Sequence, residues 1–303
     1  MKTMPLRRRV MGTFAIGSSA LATLTILALM VSLMVNIMTG AWETLSWEFL
    51  SSEPREGMTA GGIFPAIVGT VMLVLLMSLA GVPAGAITAL YLSEYASSRS
   101  KIAQAIRFAV NTLAGVPSIV FGLFGLGFFV QFIGSGMDNA LAGKELRWAQ
   151  PNILWASLTM ALLTLPVVIV SVEEAIKNVP QDLRAASLAL GATKWQTIWN
   201  VVLPNSMNGI FTGTILAVSR GAGEVAPILF TGAAYFLPQL PNSLSDQFMH
   251  LGYHVYIMST QSTNVDATIG IQYATTLVLL LLTFMLNLTA IALRSRMRAR
   301  QIQ

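Results

Sequence analysis

The chain has 303 residues, 54% of them hydrophobic and only 10% charged, with a formal net charge of +5 and a mean hydropathy of +0.68. A soluble domain carries about 25% charged residues, so composition excludes an ordinary water-soluble fold and points to a membrane protein. The absence of cysteine excludes disulfides, thiolate metal sites and cysteine nucleophiles.

A basic start (Lys2, Arg7, Arg8, Arg9) leads into the apolar run Val10–Met38. A secretory signal has an apolar core of about 7–15 residues. This run is about twice that, and no convincing small-x-small cleavage site follows, so it is expected to remain as a helix. Five further apolar runs follow at Gly62–Tyr91, Phe108–Ile133, Ile153–Val172, Gly209–Ala234 and Thr268–Leu293. Each reaches the ~20 residues that a spanning helix needs. Alternating segments of about 10 residues, which would mark a membrane barrel, are absent. The expected fold is an all-α polytopic membrane protein with six transmembrane helices.

Lys and Arg set the orientation. Lys2 and Arg7–Arg9, then Arg99, Lys101 and Arg107, then Lys177, Arg184 and Lys194, then Arg294, Arg296, Arg298 and Arg300 fall in alternate connections. The opposite side has Arg55, Lys144 and Arg147. Basic loops stay cytoplasmic, which places both termini inside. The positive charge therefore reports topology and makes no case for nucleic acid.

Gly81/Gly85 and Gly209/Gly213 are G-x-x-x-G pairs that allow close helix approach, either within the subunit or at a seam with a second one. Pro83, Pro117 and Pro227 fall inside apolar runs. Each removes a backbone hydrogen bond, and such breaks are tolerated at membrane depth where they line a cavity. Ser118 offers a hydroxyl beside Pro117, although a simple packing kink would use the same residues.

The inner segment Glu173–Pro204 does not have a loop composition. Pro180 and Asp182 suit a helix start, and Gly191 suits a left-handed cap after Asp182–Leu190. Lys194–Leu203 then restarts, with Trp195, Ile198, Val201 and Val202 forming an apolar stripe. Two short helices joined by a glycine elbow are expected, either as an interfacial amphipathic segment or as a docking surface for a soluble partner.

Two charges stand in the fifth apolar run. Arg220 and Glu224 are spaced i, i+4, so on a continuous helix they share a face and can pair. A charge at the bilayer centre costs roughly 2.5–3.5 kcal/mol on insertion scales. Gly221 and Gly223 lie between them and Pro227 follows, so a breakable helix carries the charge. A structural ion pair and a polar substrate pathway are both open. Further on, Asp246, His250 and His254 could share a helix face at metal-ligand spacing, but Leu244–Met258 reads better as a surface helix on the outer side. No G-x-x-x-x-G-K-[ST] loop and no H-E-x-x-H occurs, and no nucleophile–base pair lies at membrane depth.

The run A-A-S-L-A-L-G at Ala185–Gly191, nine residues, then V-V-L-P at Val201–Pro204 resembles the cytoplasmic signature of ABC importer permeases. Ala185 stands where that family usually has Glu, and Ser187 where it has the second Ala. G-G-I-F-P-A-I-V-G-T at Gly61–Thr70, Y-L-S-E-Y at Tyr91–Tyr95, G-V-P-S-I-V-F-G-L-F-G at Gly115–Gly125 and R-G-A-G-E-V-A-P-I-L-F-T at Arg220–Thr231 are similar to the phosphate importer permeases of the PstA type.

The resemblance implies a type I permease domain over residues 61–294. Residues 1–60 would hold the first helix and an outer loop, and 295–303 a basic tail. It implies coupling helices at about 181–204, with Ala185, Ala186, Gly191, Leu203 and Pro204 meeting the ATPase. It implies a second homologous permease subunit, two ATP-binding subunits that hold ATP and Mg2+, a periplasmic phosphate-binding protein and a bacterial inner membrane. No catalytic residue, metal or cofactor is expected on this chain. Arg220, Glu224 and Ser118 become candidates for the phosphate pathway, and Pro117, Gly221, Gly223 and Pro227 for the helix breaks that form it. A permease for another oxyanion, an ion-coupled secondary transporter and a membrane enzyme are the alternatives. The second would show a repeat of the helical set, and the third a nucleophile or metal cluster at depth.

Overall fold

The computed structural model describes residues 6–97, 99–141, 146–262 and 265–301; Lys2 and Lys144, used above to orient the chain, lie outside them. Among the described residues six helical stretches are long and apolar enough to cross a membrane: Met11–Ala41, Phe64–Tyr95, Ser118–Ala140, Ile153–Lys177, Lys194–Ala222 and Val265–Ala292.

With the side of the bundle that carries the Gly191 turn called inner and the opposite side outer, α1 (Leu6–Ala41) is followed in chain order, on the outer side, by the short α2 (Trp47–Ser51), capped by the Ser46 side chain. A two-stranded hairpin comes next, β1 (Pro54–Arg55) antiparallel to β2 (Ala60–Gly61) with Pro54 opposite Gly61. This small β element is the departure from an all-helical chain. Helix α3 (Phe64–Leu90) crosses inward and ends in a π-helical turn, Tyr91–Tyr95. Helices α4 (Lys101–Ala114) and α5 (Ser118–Gly125) run outward, α5 continuing as a π-helical stretch to Gly134 and then as α6 (Ser135–Leu141). Helix α7 (Ile153–Lys177) returns inward. The inner side carries α8 (Gln181–Ala189) and α9 (Lys194–Thr197). Helix α10 (Leu203–Ala222) rises again, α11 (Leu251–Gln261) lies on the outer side, and α12 (Val265–Gln301) leads back in.

The core is built around α7, whose principal neighbours are α3 and α10. Glycine explains the close approach. A Cβ at Gly85 would lie 2.5 Å from Val168 Cγ1, and one at Gly209 2.5 Å from the Ala175 Cβ. Gly81 meets Ala161 and Gly213 meets Ser171, so both G-x-x-x-G pairs serve packing against α7 within the subunit. Helix α1 packs along α12 and otherwise presents Leu, Ile, Val and Met side chains outward, as a lipid-facing helix does.

Three expectations are corrected. The third apolar run does not form one helix from Phe108. Helix α4 covers the inner half and stops at Ala114, and a new helix begins at Ser118. Pro117 lacks the N–H to continue the ladder, and its ring disfavours helical geometry in Val116. The fifth run starts and ends earlier than Gly209–Ala234. A capping box of Thr193 and Gln196 starts α9, which passes through the π-helical turn Ile198–Val202 into α10 without a gap. The wide turn lies where Pro204 cannot donate to the Asn200 carbonyl and its ring would crowd it. The second coupling helix is therefore the foot of the fifth crossing, not a separate helix. Trp195 also leaves the predicted stripe: it is exposed and stacks on Trp199, while Ile198 and Val202 are buried.

Candidate functional site

The glycine contacts supply a depth scale. Gly221 packs on Met77 and Thr164. Met77 is the central residue of α3, and Thr164 is one residue from the centre of α7. Gly209 and Gly213 instead meet Ala175 and Ser171, toward the inner end of α7. Arg220 therefore lies at the middle of the bundle, and the part of α10 before it lies in the inner half.

The Arg220–Glu224 pair that the spacing allowed does not form. Helix α10 ends at Ala222, with Gly223 N–H bonded to the Arg220 carbonyl (3.3 Å) and Glu224 N–H to the Gly221 carbonyl (3.1 Å). An i, i+4 spacing brings two side chains together only on a continuous helix. Pro227 forbids one, because its ring would clash with the carbonyl four residues back, at Gly223. The chain instead tightens into a 3-10 turn, Ala226–Leu229. Among the described residues neither the Arg220 guanidinium nor the Glu224 carboxylate has a hydrogen bond or ion pair. Arg220 is exposed and Glu224 half-buried.

Of the expected helix breaks, Pro117, Gly223 and Pro227 are breaks. Gly221 is not: it is helical and buried, and a Cβ there would lie 2.7 Å from Met77 Sδ and 3.0 Å from Thr164 Cγ2. The two broken segments meet. Helix α5 packs on the Ala226–Leu229 turn, and a Cβ at Gly122 would lie 3.0 Å from the Ala226 and Pro227 carbonyl oxygens. Gly125 abuts Thr159 of α7. Ser118, seven residues earlier on this antiparallel helix, is about 10 Å further in, which puts it level with the centre of α7. The first turn of α5, the end of α10 and Arg220 thus share one depth. A helix N-terminus there brings unpaired N–H groups and a positive dipole end. From Ala222 the chain climbs to the outer rim, where Asn152 N–H bonds to the Thr231 carbonyl at 2.9 Å.

On the inner face the glycine elbow forms as expected. Gly191 has φ +84, in the left-handed region that disfavours a Cβ. Ala192 N–H bonds to the Ser187 carbonyl (3.2 Å) and Gly191 N–H to the Leu188 carbonyl (3.0 Å), which is the double closure of a Schellman cap. Ala185 and Ala186 are exposed on α8, as are Leu183, Leu188 and Leu190, the last 90% exposed. Ser187 uses its hydroxyl to reach Thr197 Oγ1 at 2.9 Å, joining α8 to α9. Leu203 and Pro204 open α10, deep to the elbow.

Sequence reasoning missed an ionic cluster beneath this elbow. Arg184, next to Ala185, forms an ion pair with Glu94 and donates to the Ile176 carbonyl at 2.7 Å. Lys194 donates to the Glu94 carbonyl, and its ammonium stands 5.1 Å from the Tyr95 ring centroid. Arg107 bridges Glu173 (2.5 Å) and the Leu92 carbonyl (3.1 Å), and Lys177 also pairs with Glu173 at 2.7 Å. The foot of α3 is thereby tied to α4, α7, α8 and α9. Glu94, inside the quoted Y-L-S-E-Y, was the available signal, but its partner lies 90 residues away.

The outer histidines are placed differently from expectation. The helix starts at Leu251, not Leu244, and its inner face is buried. His250 caps it, Nδ1 accepting from Tyr253 N–H at 3.4 Å. Asp246 is off the helix and its carboxylate accepts from the N–H groups of Asn242 and Ser243, both at 2.9 Å. Among the described residues no cluster of three His, Asp or Glu is positioned to hold a metal ion. Burial pushes His250 and His254 down to about 4.

Residues 81–299 match the family described as binding-protein-dependent transport system inner membrane component. The chain is 30% identical over 274 residues to the probable ABC transporter permease protein YqgI of Bacillus subtilis (strain 168), covering 86% of this chain and 88% of that one. It is 38% identical over 170 residues to the phosphate transport system permease protein PstA 1 of Mycobacterium tuberculosis (strain ATCC 25618 / H37Rv), covering 56% of this chain and 50% of the relative. With the PstA of Yersinia pestis the identity is 37% over 201 residues, covering 66% and 59%. The matched region thus spans about half the length of these two phosphate permeases. In fold, the chain is similar to a bacterial alginate ABC transporter solved in complex with an alginate pentasaccharide-bound periplasmic protein (TM-score 0.66, 16% identity, 94% of this chain and 95% of that one). It is also similar to the inward-facing MetNI methionine ABC transporter (TM-score 0.53, 16% identity, 78% and 94%). A six-span helical bundle with a glycine-elbowed inner segment, matched over residues 81–299, makes this chain a multi-pass inner membrane protein that belongs to the binding-protein-dependent family of ABC importer permeases.

Proposed function

We propose that the chain is the membrane-spanning permease subunit of an ATP-driven importer of inorganic phosphate. It forms one half of the channel beside a second homologous permease. Two ATP-binding subunits, which hold the ATP and Mg2+, dock on α8, and a periplasmic phosphate-binding protein delivers substrate to the outer face. Both termini are cytoplasmic. This chain itself carries out no hydrolysis.

The observation that carries the reading is Arg220: a guanidinium at mid-bundle depth, exposed, without a partner among the described residues, beside two broken helix ends. An unpaired charge cannot face lipid at that depth without heavy cost. A planar guanidinium that stays charged matches a tetrahedral oxyanion in bidentate fashion, and transporters place binding groups at discontinuous helices. Glu224 is separated from Arg220 by the helix end and so is available for a second task. Phosphate near neutral pH retains a proton that a carboxylate can accept a hydrogen bond from, whereas sulfate has none and is repelled.

Arg220→Gln tests this in the assembled complex. Glu224 does not depend on Arg220 as a partner, so the variant should assemble normally and lose at least tenfold in phosphate uptake per complex at saturating binding protein. Glu224→Gln should admit sulfate. Near-normal phosphate uptake by Arg220→Gln would refute the role of Arg220.

A further inference from the structure

Helix α10 carries a second pattern below Arg220. Its exposed residues are Asn205, Asn208, Gly209, Thr212, Leu216 and Arg220. At 100° per residue all six fall within one third of the helix circumference, and they step along it every three to four residues. The adjoining third, with Ser206, Gly213, Ala217 and Gly221, is buried against the bundle. By the glycine contacts this face runs from the inner end of α7 at the level of Ala175 to its centre at the level of Thr164. From Asn205 to Arg220 it is about 22 Å long.

The chemistry of that face is wrong for lipid. It presents two carboxamides, a hydroxyl and a guanidinium along the inner half of a membrane crossing, with Leu216 the one large apolar side chain. Asn205 turns its amide back to the Val201 carbonyl (2.7 Å), and Thr212 donates to the Asn208 carbonyl (2.6 Å). The Asn208 side chain, like that of Arg220, has no partner among the described residues. The exposed surface of α1 differs. It is mostly Leu, Ile, Val and Met. The hydroxyls of Thr23 and Thr25 turn back to their own helix, donating to the Ser19 and Leu21 carbonyls, both at 2.9 Å, and the one exposed carboxamide, Asn36, lies near the helix end. Polar groups stripped of water and left unpaired would each cost several kcal/mol, so this face meets water or a polar protein surface and not lipid.

We propose that the Asn205–Asn208–Thr212–Leu216 face of α10 lines the inner, water-filled half of the anion pathway, and carries a hydrated oxyanion from Arg220 to the cytoplasm. The proposal deepens the reading of Arg220 as the anion site. The carboxamides suit this task because Asn208, and Asn205 through its second N–H, offer hydrogen bonds to an anion without a second fixed positive charge that would hold it. The Thr212 hydroxyl, which donates to the Asn208 carbonyl, keeps an oxygen that water can bond to.

The absence of cysteine makes the test direct. Asn205→Cys, Asn208→Cys, Thr212→Cys and Leu216→Cys are each introduced singly, with Leu27→Cys on α1 as the lipid-facing control. The whole complex, with partner subunits free of cysteine, is studied in inverted vesicles. The probe is 2-sulfonatoethyl methanethiosulfonate, a small anionic reagent that does not cross the bilayer. The four α10 thiols should react at least tenfold faster than the Leu27 thiol, and millimolar inorganic phosphate should slow the Leu216 position severalfold. If the four positions react no faster than Leu27 in a complex that assembles and imports phosphate, the face is covered by protein and the proposal fails while the phosphate reading stands. If they react but the parent complex imports no phosphate, the substrate assignment fails and the pathway stands.

Discussion

Glu94 ties α8 and α9 to the foot of α3 through Arg184 and Lys194, and Glu94→Gln is the informative change. Its side chain is 8% exposed and that of Arg184 13%, so the pair is nearly removed from water. Glutamine keeps the size and one acceptor but leaves the Arg184 guanidinium charged and facing a neutral amide. Breaking one side of a buried pair costs about 3–5 kcal/mol. Here the lower end applies, since Arg184 retains the Ile176 carbonyl and the Lys194 bond to the Glu94 main chain survives. A penalty of about 3 kcal/mol shifts the balance between docked and undocked α8 by roughly two powers of ten. The bundle itself is held by α3, α7 and α10 and should insert and assemble. The expected phenotype is an assembled complex whose ATP hydrolysis persists while phosphate uptake per ATP falls at least tenfold. The double change Glu94→Gln, Arg184→Gln removes the orphaned charge, and uptake should recover in part, with a coupling energy above about 1 kcal/mol in the double-mutant cycle. Uptake within twofold of the parent for Glu94→Gln, or strictly additive effects, would refute the view that this pair transmits the movement of α8.

A Cβ at Gly191 would meet nothing within 4 Å, and only φ resists one; Gly191→Val should therefore cost roughly 1–2 kcal/mol or more through the backbone alone, leave insertion intact and weaken substrate-stimulated hydrolysis, whereas Gly191→Asn, which tolerates the left-handed region, should stay near the parent. Reporter fusions at Ser100 and Arg298 should report cytoplasm and those at Glu53 and Asn242 the outside; an external Arg298 would mean an odd number of crossings. His250 and His254 are held near 4 rather than 6.5 by burial. The unfolded chain takes up those protons first, so stability is complete above pH 6.5 and falls as pH drops from 6.5 to 4, by roughly 2 kcal/mol per histidine at pH 5. His250→Asn keeps a capping acceptor and should remove about half of the acid-induced drop in thermal midpoint; an unchanged drop would discredit the assignment.

The six crossings were legible because the bilayer demands long apolar runs, and hydropathy records them directly. What failed was continuity. Apolar residues flank Pro117 on both sides, so one run hides two helices. Arg220 and Glu224 looked paired because spacing was read on an unbroken helix, although Pro227, four residues beyond Gly223, already marked the stop. The elbow was readable because Pro180, Asp182, a run of helix formers and then Gly191 leave local traces; the Thr193–Gln196 capping box was a further local signal, found only in the structure. The cluster of Glu94, Arg107, Glu173, Arg184 and Lys194 was not, since its partners lie 66 to 100 residues apart and only the packed bundle brings them together.

The start of α5 and the end of α10 at one depth have a consequence for the physical state of the protein's interior. Most membrane-spanning chains keep their amide protons best protected at the centre, where hydrocarbon surrounds a complete helical ladder. Here both chain segments break at that depth, so backbone groups outside the helical ladder sit where lipid can offer them nothing. The middle of this subunit therefore relies on protein or water, and not on hydrocarbon, to satisfy its backbone.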